Sequence, residues 1–162
     1  MPICWFERKA LNELFAEARR WRLRETGGAL LGWSEGDEFV VHRVLGPGPG
    51  AKHGFTYFEP DGTWQADKGA RIYAESGRKI AYVGDWHTHP RGTPRPSRRD
   101  RNTANEIASD PSFRAPRPVY AIAARRLQLS PRAARWRLVT YVRDEELRPA
   151  QVQIYDERDL AF

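Results

Sequence analysis

Gly84-Asp85-Trp86-His87-Thr88-His89-Pro90-Arg91-Gly92-Thr93-Pro94-Arg95-Pro96-Ser97-Arg98-Arg99-Asp100 is the stretch on which the reading of this chain turns. It follows Ile80-Ala81-Tyr82-Val83, a short apolar run that reads as a buried strand. Side chains two apart on a strand point to one side. His87 and His89 therefore face one way and Thr88 the other. Asp85 shares the histidine face and is placed to orient one imidazole from behind. Pro90 ends the strand, a Gly/Pro/Arg loop follows, and Ser97 reads as a helix N-cap.

Asp100 carries the most information. On the helix that Ser97 starts, Ala104, Ile107 and Ala108 lie at i+4, i+7 and i+8 from it, so it shares an apolar face and points inward. A carboxylate aimed into a core is costly without a partner. Two histidines at the end of the preceding strand, with a metal between, are such a partner. Two His and one Asp make three ligands, the number that leaves a fourth position open on a catalytic zinc. Each feature alone has a plainer reading: a solitary His-x-His is common, and Ser97-x-x-Asp100 is close to a capping box with Asp in place of Glu. Together they share one strand–loop–helix frame with convergent faces.

His87-Thr88-His89-Pro90, the ten residues between His89 and Asp100, and Ser97 three positions before that Asp resemble the signature of the JAMM/MPN metalloproteases. That signature also has a glutamate upstream, just before a strand, and Glu25 in Glu25-Thr26-Gly27-Gly28-Ala29-Leu30-Leu31-Gly32 fits it. Gly46-Pro47-Gly48-Pro49 and the later Phe58-Glu59-Pro60-Asp61 resemble the bacterial branch, the prokaryotic JAB domains. The resemblance implies a deaminase-like JAB/MPN fold: a mixed central β-sheet flanked by helices, of class α/β, with the metal at one edge of its mouth. It implies Zn2+ held by His87, His89 and Asp100, with Glu25 as general base and Ser97 as oxyanion donor. Relatives cleave after the C-terminal tail of ubiquitin or ubiquitin-like proteins, and bacterial ones also serve anti-phage systems that conjugate a nucleotidyltransferase to targets. The implied partner is thus a ubiquitin-like protein or another protein conjugated through its tail. The alternative is a non-catalytic MPN scaffold or binding module. The sequence leaves the substrate, the linear or lysine-linked nature of the bond, and the oligomeric state open.

Composition sets the outer bounds. At 162 residues, with 40% hydrophobic and 12% aromatic content, the chain is expected to be one globular domain spanning 1–162. No apolar run approaches the ~20 residues of a membrane span. Glu7, Arg8 and Lys9 interrupt any signal peptide, so a cytoplasmic location is expected. Cys4 is the sole cysteine and forms no internal disulfide; packing beside Trp5 and Phe6 is its expected role. Net charge is +6, and all but four of the 27 basic residues are arginine. An acidic protein partner or plain compositional bias accounts for this. Nucleic-acid binding rests on charge alone, since no zinc finger or RRM signature is present.

Along the chain, Phe6 to Arg20 reads as an amphipathic helix with a Leu11, Leu14, Phe15, Ala18 stripe. Ala29–Trp33 and Phe39–Leu45 read as a hairpin around Ser34-Glu35-Gly36-Asp37. Ala51–Pro60 reads as a long loop lining a substrate groove. His53 within it has no nearby His, Cys or Asp and is expected at the surface. Asp61 caps a helix to Ser76, with Gly77 as its stop. Val119–Ala123 and Trp136–Val142 are strands joined by an Arg-rich connection, and Val152–Tyr155 is expected as a last edge strand. Helix, hairpin, helix, strand, helix, strands is the order of a sheet sandwiched by helices.

Overall fold

Nine strands and three α-helices form the described part of the chain in the order β1 (Ile3–Glu7), α1 (Arg8–Arg20), β2 (Gly27–Glu35), β3 (Glu38–Val44), β4 (Lys52–His53), β5 (Phe58–Glu59), α2 (Gly62–Glu75), β6 (Ala81–His89), α3 (Arg98–Ser109), β7 (Val119–Arg126), β8 (Arg135–Arg143) and β9 (Leu147–Tyr155). This computed structural model describes residues 1–126 and 135–159. The expected Arg-rich connection lies mostly outside the described residues. None of the described helices is long and apolar enough to cross a membrane.

Seven strands make one mixed sheet in the order β1-β3-β2-β6-β7-β8-β9, and β1 closes it by pairing in parallel with β9. Strands β4 and β5 stand apart as a two-stranded ribbon. The expectation of a mixed sheet flanked by helices holds, and closure is what the sequence reading lacked. Strand β1 is not among the expected elements, since the expected helix takes in Phe6. Cys4 and Phe6 alternate with Trp5 at period two, and both are fully buried. The helix begins two residues later, at Arg8, after Glu7, whose carboxylate accepts the Ala10 amide at 2.9 Å. The same closure means that β9 is no edge strand: it pairs β8 on one side and β1 on the other.

Alternation along the strands sorts the core into two faces. Leu30 on β2 and Val119, Ala121 and Ala123 on β7 join Leu11 and Leu14 of α1 in the largest cluster. Their neighbours point the opposite way. Ala29 and Leu31 pack with Leu45 and, from α2, Ile72. Tyr120 and Ile122 pack with Ala104 of α3. Helix α1 therefore covers one face of the sheet, and α2 and α3 cover the other. Trp86 on β6 is buried on the α1 side, and its indole N–H donates to the Leu45 carbonyl at 3.0 Å. His87 and His89 consequently open toward α3.

Candidate metal centre

The site is built where β2 begins, β6 ends and α3 starts. Strands β2 and β6 are antiparallel with Gly27 opposite His87. The Thr26–Thr88 pair continues that register one residue further. The Thr26–Thr88 pair is bonded three ways. The Thr88 amide donates to the Thr26 carbonyl at 2.8 Å, and the Thr26 amide donates to Thr88 Oγ1 at 3.0 Å. The Thr88 hydroxyl returns a longer contact of 3.4 Å to the Thr26 carbonyl. Both threonines are fully buried, so these bonds are shielded from water. The residue between the two histidines thereby ties the Glu25 segment to their strand. Gly27 permits the close approach: a Cβ there would stand 2.3 Å from the Trp86 carbonyl oxygen and 2.9 Å from His87 Cβ.

Asp100 arrives from the first turn of α3. The Ser97 side chain accepts the Asp100 amide at 3.1 Å, and the Asp100 carboxylate accepts the Ser97 amide at 2.6 Å. This is the full capping box, with Asp replacing Glu. The box orients the carboxylate as well as starting the helix. Asp100 Oδ1 lies 3.2 Å from His87 Nε2, and Oδ2 lies 3.4 Å from His89 Nε2. The two Nε2 atoms are 2.8 Å apart. All three residues are buried, each at 7% exposure. Among the described residues they form the group of His, Cys, Asp or Glu side chains able to hold a metal ion.

The chemistry of this donor set fits a cation. His89 Nδ1 lies 2.7 Å from the Thr93 carbonyl, which can only accept, so Nδ1 carries the hydrogen. That leaves His89 Nε2 as a lone pair in the neutral ring, aimed at another imidazole nitrogen and a carboxylate. Such convergence requires a proton or a metal between the donors. With the protein groups alone, titration is divided between them. Burial lowers His87, against the pull of Asp100. Burial also pulls His89 down, but Asp100, the Thr93 carbonyl and Glu25 outweigh it and leave His89 raised. Burial pushes Asp100 up, yet its contacts with both imidazoles and the Ser97 amide hold it far below the usual carboxylate range.

Glu25 is half-buried and lines the same cleft of about 230 Å³, whose walls include Phe58, Asp85, Arg99, Asp100 and Tyr120. Burial raises its pKa; His89 and Arg99 lower it and Asp100 raises it. It is thus a carboxylate within electrostatic reach of His89 and Asp100, with its proton affinity raised. The expected groove-lining segment is there too, as Phe58, Glu59 and Pro60 form part of the wall.

Three expectations change. Asp85 does not orient an imidazole: its Oδ1 accepts the Tyr82 hydroxyl at 2.8 Å, and His87 Nδ1 is buried with no hydrogen-bond partner among the described residues. A bulge explains the pairing. Leu30 and Leu31 face Gly84 and Tyr82, leaving Val83 unpaired, so Tyr82 and Asp85 come to share a face. His53 is not a surface histidine. It is half-buried, stacked on Trp21 at 3.5 Å and 7°, with Nδ1 3.0 Å from the Glu25 carbonyl. No periodicity in the sequence links position 53 to position 25. Finally, Ala51–Pro60 is not simple loop, because β4 and β5 pair within it. Ser97 itself is exposed and stands outside the cleft walls, at the helix start.

Comparison with known proteins follows the same outline. Residues 7–139 match the family described as prokaryotic homologs of the JAB domain. A probable metalloprotease, y4qB of Sinorhizobium fredii, is 36% identical over 125 residues, covering 75% of this chain and 76% of that protein. A CD-NTase/cGAS isopeptidase of Escherichia coli is 34% identical over 73 residues, which is 45% of this chain and 47% of that protein. The solution structure of DSY2949 from Desulfitobacterium hafniense superposes with a TM-score of 0.69 at 21% identity, over 95% of this chain and 94% of that one. At that identity the likeness concerns the fold.

Proposed function

The chain belongs to the prokaryotic JAB-domain family, and from that premise we propose that it is a zinc-dependent peptidase cleaving the amide or isopeptide bond after the C-terminal tail of a conjugated protein. A metal-dependent peptidase role accords with relatives named metalloprotease and isopeptidase. The observation that carries the finer reading is the convergence of His87, His89 and Asp100, with Glu25 lining one cleft with His87 and Asp100 and within electrostatic reach of His89. Two imidazole nitrogens and a carboxylate are zinc donors, and three protein ligands leave a place for catalysis.

Bound by His87, His89 and Asp100, zinc would supply a Lewis acid for the scissile carbonyl and lower the pKa of a water there toward about 7. The protein's own groups do the rest. Glu25 takes the proton from the attacking water and passes it to the departing amine. Its raised proton affinity, caused first by burial, suits both steps. Ser97 accepts the Asp100 amide through Oγ; its O–H is assigned to donate to a carbonyl oxygen lying over the start of α3, at the rim and outside the cleft walls, as charge develops there. Thr88 holds the Glu25 segment at fixed register to the histidines. The substrate is a ubiquitin-like protein or, as the isopeptidase relatives' names suggest for this chain as well, a nucleotidyltransferase joined to a target through its tail.

The test is a linear reporter, a nucleotidyltransferase tail or ubiquitin-like protein fused to a fluorescent protein, incubated with the zinc-loaded chain. Wild type should cleave at the junction. Glu25→Gln should retain zinc and lose cleavage. A metal-loaded wild type that leaves every such fusion intact would favour the scaffold reading, and full activity in Glu25→Gln would remove that residue from the mechanism.

A further inference from the structure

A base that must meet one proton at one point works only if its backbone is held. Glu25 lies in the 21–26 connection between α1 and β2, outside every helix and strand. Both of its backbone polar groups are nonetheless engaged by the β4–β5 ribbon. Its amide donates to the Gly54 carbonyl at 2.8 Å, and its carbonyl accepts from His53 Nδ1 at 3.0 Å. One residue earlier, Arg24 Nη1 donates to the His53 carbonyl at 3.1 Å. The imidazole is gripped in turn. It stacks flat on Trp21, the residue that ends α1, at 3.5 Å, and meets the Phe58 ring at 5.5 Å.

We propose that His53 is a positioning residue for the general base: its Nδ1–H, fixed by the Trp21 stack, clamps the Glu25 backbone from the ribbon side while Thr26–Thr88 holds it from the strand side. This rests on the reading of Glu25 as base. The pairing of β4 with β5 is a backbone ladder, Lys52 with Glu59 and His53 with Phe58, and does not itself require an imidazole. What the ring adds is a side-chain donor to the Glu25 carbonyl. A carbonyl only accepts, so Nδ1 carries the hydrogen in this contact. Without it, the Glu25–Thr26 peptide is held only through its Thr26 N–H on Thr88 Oγ1, and the carboxylate loses the bond that fixes its backbone from the ribbon side. Misplacement of a reacting group by about 1 Å costs up to about a hundredfold in rate.

Two substitutions separate the donor from the ring. His53→Phe keeps an aromatic face on Trp21 and removes the donor. His53→Asn keeps an N–H donor on the same branch and removes the ring. On the tail-fusion reporter, His53→Phe should lose about tenfold or more in kcat with KM nearly unchanged, and His53→Asn should recover part of that loss. The second readout needs no substrate. The cobalt-loaded protein is titrated with base and its visible spectrum followed. Glu25 is within electrostatic reach of His89 and Asp100, so Glu25→Gln should move the midpoint. His53→Phe should move it the same way by a smaller amount, and His53→Asn should return it toward wild type. A midpoint shifted by Glu25→Gln but untouched by His53→Phe overturns the clamp and leaves the base intact. A midpoint indifferent to Glu25→Gln overturns both. Wild-type kcat in His53→Phe with impairment in His53→Asn also overturns it, since the ring and not the donor would then matter. If the spectra behave as stated and no fusion is cleaved, the clamp stands and the substrate assignment falls.

Discussion

Ser97 is assigned two tasks that one set of substitutions can pull apart. Its Oγ accepts the Asp100 amide at 3.1 Å as the helix cap, and its O–H is proposed as the donor to the oxyanion. Ser97→Ala removes both. The reciprocal bond, Ser97 N–H to the Asp100 carboxylate at 2.6 Å, is backbone-donated and survives. The stability loss is therefore that of one cap bond, about 1 kcal/mol, while Ser97→Gly costs only a few tenths of a kcal/mol. Removing an oxyanion donor lowers kcat by about 10²–10³, or about 3 kcal/mol. Ser97→Thr keeps hydroxyl and cap. Urea unfolding should rank wild type and Thr together, then Gly, then Ala. Cleavage of the tail fusion should rank wild type and Thr together, with Gly and Ala equally poor. If kcat instead follows the unfolding order, with Gly close to wild type, the hydroxyl serves the helix alone. The oxyanion assignment would then be withdrawn.

Two further predictions concern the metal centre and the core. Purified protein should bind one zinc per chain, and His87→Ala should abolish binding. At a thousandfold excess over Kd, loading should add about 4 kcal/mol of stability, read as a shift of the urea midpoint that chelation reverses; a midpoint indifferent to zinc would mean that the buried triad does not close on it. Cys4 is fully buried, and burial pushes its thiol up to about 12, with Thr140 opposing weakly. Native protein should therefore resist alkylation at pH 8, reacting only through unfolding. Because the folded pKa exceeds the unfolded value, the native state holds the extra proton, and the Cys4 contribution to stability falls as pH rises from about 9 toward about 12. Replacement by Ala should flatten that part of the profile, and an unchanged slope would refute the assignment.

Sequence by itself determined the elements that local rules govern. The period-two strand carrying His87 and His89, the Ser97 cap, and the apolar face that turns Asp100 inward are all short-range facts. They were enough to anticipate that these three side chains point to one place. The Asp61 cap, observed as a bond to the Trp64 amide at 3.2 Å, was legible for the same reason. Glu25 was different. Its spacing alone fits a solvated loop carboxylate, and the family pattern singled it out. Only the register of β2 on β6, carried one residue further by the Thr26–Thr88 bonds, brings its segment beside the histidine strand.

Tertiary structure alone decided the rest, because the deciding contacts join residues far apart in the chain. Strand β1 was hidden beside a strong helical stripe, and it is a strand because β3 and β9 flank it on both sides. Tyr82 captures Asp85 because a bulge, which depends on the partner strand, brings them to one face. His53 meets Glu25 across 28 positions and Trp21 across 32, at distances no local periodicity encodes. Hydrogen-bond donors and ring faces are short-ranged, so which of them meet is settled only when the chain has folded.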